Sequence, residues 1–137
     1  MLNVFRLRLG ASLHFLIAIG HLICLFFLEE AFKAYGILDE MKQLCFGQEW
    51  PLYIVTVCLA VGFALAGFYA LSAAGDMRKL PLQSLVMTAI VVLYGIRVII
   101  GIGWLLHEFT YLQLFSSLAP ALLVYCYFPG LKRKDHV

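Results

Sequence analysis

A chain of 137 residues that is 64% hydrophobic and 13% charged carries more apolar surface than a soluble domain of that length can bury. Its formal net charge of +2 offers no basic face for nucleic acid. The charges fall in short blocks between long apolar runs, so the bilayer is expected to be part of the solvent, and a soluble globular domain is excluded.

The first apolar run, Leu9–Leu28, follows Arg6 and Arg8. It holds 20 residues without a charged side chain, longer than a signal-peptide core, and Glu29 and Glu30 follow it where a small-x-small cleavage site would stand. A retained transmembrane helix is expected. Glu29 and Glu30 are spaced to support Lys33 at i+4 and i+3, so this helix is expected to leave the membrane and run over about 9–34. Residues 37–46 place Leu38, Met41, Leu44 and Cys45 among Asp39, Glu40, Lys42 and Gln43, the pattern of a short interfacial helix over the mouth of a bundle.

The second span is read over 51–74, opened by Pro51 and stopped by Gly75. Its small-residue stripe of Ala60, Ala64, Gly67 and Ala74 is read as packing. The third, 81–106, again opens on a proline. The fourth, 111–128, is shorter, with a kink expected at Pro120 and an end at Pro129-Gly130. Each run meets or approaches the roughly 20 residues a helix needs to cross a bilayer, and none shows the alternation of a barrel strand. Trp50, Tyr53, Trp104 and Tyr111 mark one interface, and Tyr125 and Tyr127 the other.

Arg6 and Arg8, Arg78 and Lys79, and Lys132, Arg133 and Lys134 alternate with the acidic 29–50 segment, which places all three basic blocks on the cytoplasmic side. The expected fold is therefore all-α and polytopic: four transmembrane helices in an antiparallel bundle, both termini cytoplasmic, residues 1–137 forming a single domain. The expected location is the inner membrane.

Within this frame Arg97 stands out, because an arginine at such depth normally faces a bundle interior, a wet cavity or a partner. Helical spacing puts it on a stripe with Gly101, Trp104 and Glu108, with Tyr94 about 60° to one side. Helix rise sets Arg97 and His21 at the same depth, roughly 10–14 Å below the outer boundary. Glu29 and Glu108 are expected in the same outer half, with Gln113, Ser116 and Ser117 from the fourth helix, completing a polar pocket that opens outward. The alternative is an ion pair of Arg97 with Glu29 or Glu108 that only locks the helices. His14 and His21 share a face of the first helix roughly 10 Å apart. They form either a proton relay or, for His14, an interhelical hydrogen bond.

No metal, haem or catalytic group is expected. A b-type haem is usually held by histidines on two helices, whereas His14 and His21 share one and His107 lies at the far end of another. The same two histidines are too far apart for one zinc ion. Cys24, Cys45, Cys58 and Cys126 form no C-x-x-C pair. No activated nucleophile or acid–base pair is recognisable, so an enzyme is the weakest reading.

The connector ending "AFKAYGI", a W-x-x-Y entry to the second span, and "GFYALSAAGDMRKLP" leading into the third resemble the small four-helix inner-membrane proteins of the DoxX-like group. That resemblance implies an accessory role in membrane redox or stress systems, and it carries over no site residue. Three functions remain open from the residues themselves. The pocket could bind a small amphiphile (a lipid, a quinone or an anionic metabolite). The bundle could be an accessory subunit or homo-oligomer within a membrane complex. It could also be a small proton-linked transporter.

Overall fold

The computed structural model describes residues 1–107 and 111–131, except the side chains of Leu112, Gln113 and Phe115. The helices are α1 Leu2–Cys24, α2 Leu28–Ala34, α3 Leu38–Leu44, α4 Trp50–Ala74, α5 Gln83–His107 and α6 Tyr111–Leu131. A 3-10 turn, Leu25–Phe27, joins α1 to α2. No strand occurs among the described residues. Three continuous helical stretches, Leu2–Ala34, Trp50–Ala74 and Gln83–His107, are long and apolar enough to cross a membrane, and Ser116–Leu131 within α6 is a shorter apolar helix. This is the make-up of an all-helical membrane protein.

Several boundaries differ from the expected ones. The first helix starts at Leu2 because Arg6 and Arg8 are helical residues whose heads find partners. The third span starts at Gln83, since Pro81 and Leu82 form a turn in which Leu82 takes a φ of 55°. The last helix runs through Pro120 and Pro129 to Leu131. The interfacial segment is helical only over Leu38–Leu44.

The chain divides into two compact units, Met1–Leu13 with Ala66–Val137, and His14–Leu65. In the first unit α5 packs along α6. Gly101 of α5 meets Ser117, and Met87 of the same helix meets Gly130. The start of α1 packs on the end of α6 at Gly10, where an added Cβ would lie 2.7 Å from the Tyr127 ring and 3.0 Å from Cys126 Cβ. Tyr127 is fully buried, and its hydroxyl donates to the Ala66 carbonyl at 3.0 Å. A buried phenol needs that acceptor, because an unpaired one loses water and gains nothing.

The link from α4 to α5 is fastened by side chains. Buried Ser72 donates to the Arg78 carbonyl and accepts from the Leu80 amide, both at 3.0 Å. Tyr69 donates to the Pro81 carbonyl at 3.0 Å. Arg8 grips Asp76 with two bonds, Nε to Oδ2 at 2.9 Å and Nη2 to Oδ1 at 2.5 Å. The hydrogen bond and charge of Arg8 hold the Asp76 carboxyl below its ordinary value of 3.8. Arg6 lies 3.7 Å over the Tyr125 ring and donates to the Tyr125 carbonyl.

In the second unit α2 ends at Gly36, whose φ of 68° a residue with a side chain adopts only under strain. The chain then turns into α3. Lys42 on α3 donates to Glu29 of α2 at 3.0 Å and stands 4.0 Å from Glu49, just before α4. The hydrogen bond to Glu29 raises the affinity of the Lys42 ammonium for its proton. Glu29 therefore hydrogen-bonds a lysine thirteen residues on, while the charge of Lys33 one turn along α2 also favours its carboxylate. The i+4 rule describes an isolated helix, and here the turn after α2 brings a nearer cation.

Candidate functional site

Arg97 lies in the C-terminal half of α5, ten residues before His107 and so roughly 15 Å along the axis from that end. It is exposed on the surface of the chain. Its Nη2 donates to Ser116 Oγ of α6 at 3.1 Å. Among the described residues no carboxylate forms an ion pair with it.

The local fold explains why the guanidinium lies where it does. Gly101, one turn on from Arg97, is buried against α6, and an added Cβ would stand 2.4 Å from Ser117 Oγ and 3.2 Å from Arg97 Nη1. A Cβ at that position would collide with Ser117 and press on the head of Arg97, so the glycine lets α6 and the guanidinium close on the same seam. Ser116 is also the residue whose carbonyl would accept from position 120 in a regular helix, and Pro120 has no N–H to give. The seam thus presents two hydroxyls and one carbonyl without its usual helical donor, under a cation.

Around this polar spot the surface is apolar. Leu93, Ile96, Ile100 and Trp104 are all exposed on α5. Tyr94 is partly covered. Arg97, Gly101 and Trp104 lie on one continuous helix, exposed, buried and exposed in turn, and a Cβ added at Gly101 would reach Ser117. Glu108 lies outside the described residues.

The other expected site residues have partners in the second unit. The Nδ1–H of His21 donates to the Ile17 carbonyl at 2.8 Å, which leaves Nε2 as the acceptor in the neutral ring. His21 also packs on Phe63, with ring centroids 4.8 Å apart. His14 is completely buried, with its ring 6.1 Å from that of Phe63. One aromatic ring thus stands against both histidines, and it neither donates nor accepts a proton. Glu29 belongs to the Lys42 bridge and lines a cavity of about 30 Å³ with Phe32, Leu38 and Glu49. That volume suits a single water and no amphiphile.

Ser116 is one of the hydroxyls expected from the fourth helix, and Phe63 is the contact that residue spacing did not single out. The offset of four between Ser116 and Pro120 adds a polar backbone group at the same place in an apolar helix. Phe63 carries no signal of its own in a run as apolar as α4. Among the described residues, no three His, Cys, Asp or Glu side chains gather closely enough to hold a metal ion. No family model, curated protein or solved structure matches the chain.

Proposed function

We propose that this is a multi-pass inner-membrane protein whose Arg97 holds the polar head of a small amphiphile. The observation that carries the reading is the exposed guanidinium on a spanning helix, with a single hydroxyl as its partner among the described residues. Leaving an arginine in hydrocarbon costs at least about 2.5–3.5 kcal/mol on insertion scales, so a bound polar head at this point is favourable. Ser116 and Ser117 supply further hydrogen bonds, and Trp104 and Tyr94 flank the head.

The topology that goes with this reading has α1, α4, α5 and α6 as four antiparallel spans and both termini in the cytoplasm. Two contacts favour it. Arg8 with Asp76, and Arg6 with Tyr125, bring the start of α1, the α4–α5 turn and the end of α6 to one basic end. The acidic 29–49 segment then lies outside.

The test is native mass spectrometry of the chain extracted in a mild detergent, with Arg97→Leu beside it. The wild type is expected to carry a co-purified amphiphile at unit stoichiometry. The variant, shown to be helical by circular dichroism, is expected to lose it. Equal retention in both would remove Arg97 from the site. A second reading, an accessory subunit or homo-oligomer, draws on the same exposed cation, and it predicts loss of a complex instead of loss of a small molecule.

A further inference from the structure

We infer that the head held by Arg97 is an anion, a phosphate or carboxylate, and that it arrives sideways from the lipid. This rests on the preceding reading that Arg97 binds an amphiphile, and it names which kind. The first ground is the supply of counter-charge. None of α1, α4, α5 and α6 contains an aspartate or glutamate. The described acids instead occupy residues 29–49 and position 76, and Asp76 is taken by Arg8. Among the described residues, the four long helices have no negative charge to offer Arg97.

The same count argues against a second copy as the occupant. A two-fold contact through this face presents the partner with the same surface, a second guanidinium among Leu93, Ile96 and Ile100, and no acid. Like charges would meet in a low dielectric. No described residue supplies the counter-ion, and the exposed apolar surround of Arg97 faces the medium in which anionic amphiphiles are dissolved.

The second ground is donor geometry. A guanidinium has five N–H groups in a planar fork, and Ser116 Oγ takes one of them. The remaining fork matches the two oxygens of a phosphate or carboxylate, giving paired charge-assisted bonds. The Ser116 and Ser117 hydroxyls lie beside it on α6. A neutral carbonyl such as that of a quinone could accept one of these bonds, but it would leave the charge uncompensated in the apolar medium.

The experiment uses the full chain in a mild non-ionic detergent, titrated separately with dioleoylphosphatidylglycerol, oleate, dioleoylphosphatidylcholine and decylubiquinone, and read by native mass spectrometry. One equivalent of phosphatidylglycerol or of oleate is expected to bind at least about tenfold more tightly than the quinone or than phosphatidylcholine, whose phosphate is already neutralised by its own choline. The phosphatidylglycerol and oleate arms separate a lipid phosphate from a fatty-acid carboxylate. Arg97→Gln is expected to erase the preference, and Arg97→Lys to keep part of it. Arg97-dependent binding of the quinone with no anion preference would overturn the anionic head and leave the binding site standing. Arg97-independent binding throughout would overturn both, as would an Arg97-dependent oligomer that takes up no amphiphile. If Arg97→Gln fails to fold, the wild-type ranking of the four additives decides alone, and equal affinities overturn the inference.

Discussion

Gly101 and Gly130 both sit where a helix of the first unit is approached by a neighbour, yet a methyl group added at each meets a different kind of obstacle. At Gly101 it would stand 2.4 Å from Ser117 Oγ and 3.0 Å from Ser117 Cβ, atoms fixed close to the α6 backbone. At Gly130 it would meet Met87 Cε at 2.3 Å, the free end of a flexible side chain, and then Leu7 at 3.6 Å. Overpacking that forces backbones apart typically costs 1–3 kcal/mol, whereas a thioether can swing aside. Gly101→Ala is therefore expected to destabilise the protein by about 2 kcal/mol, and Gly130→Ala by less than about 1 kcal/mol. Equilibrium unfolding in mixed micelles measures both. Equal losses would mean that the α5–α6 seam yields as readily as a methionine does. Gly101→Ala should also lower amphiphile binding, since it pushes against Arg97 Nη1, and Gly130→Ala should leave it unchanged.

At the scale of elements, the long apolar runs were legible because hydropathy and helix length are local properties. The ends were less so. Arg6 and Arg8 read as the edge of the first span, but α1 begins at Leu2, since a charge at a helix end needs only a partner to stay helical, and Tyr125 and Asp76 are the partners. Neither partner is near in sequence, so no spacing rule finds them. The 3-10 turn at Leu25–Phe27 contains no glycine or proline to announce it. Arg97 was legible as a lone charge in an apolar helix, and Gly101 as its neighbour one turn on. The face to which Arg97 turns was not, because helical angles relate residues within one helix and say nothing of what lies opposite.

The Arg8–Asp76 pair gives this scale its own test. Asp76 binds its proton more weakly in the folded chain than its ordinary value of 3.8 implies, because Arg8 holds the carboxylate. As pH falls, the unfolded chain takes up that proton first, so the folded state loses ground. The contribution of the pair is thus complete above pH 3.8 and fades as pH drops through the lower folded value. Thermal unfolding of wild type and Asp76→Asn from pH 7 down to pH 3 should show a small gap that closes only at the acid end. Both groups are solvent-exposed, so added salt should narrow the gap at neutral pH. A gap that is constant with pH would mean that Asp76 acts through packing or its turn, not through charge.

In the proposed topology, orientation follows from which side of the membrane the acidic 29–49 segment occupies, and a native thiol reports on it. Cys45 closes α3, with its amide bonded to the Met41 carbonyl and its side chain partly exposed. Cys24 and Cys58 lie within the apolar stretches of α1 and α4, and Cys126 is buried at the end of α6. Maleimide reacts with the thiolate, which forms where water and ions reach the sulfur and not in hydrocarbon. A membrane-impermeant maleimide added to intact spheroplasts should therefore label the chain at Cys45 alone, and Cys45→Ser should abolish the label. Inverted vesicles should protect it until detergent is added. The opposite pattern, with labelling only in inverted vesicles, would turn the molecule over, and Arg6, Arg8, Arg78 and Lys79 would then lie outside against the usual bias of basic loops. Labelling from both sides would mean that two orientations coexist. The roughly 15 Å between Arg97 and the end of α5 would then be measured from both leaflets, and an anionic amphiphile from either one could reach the proposed site.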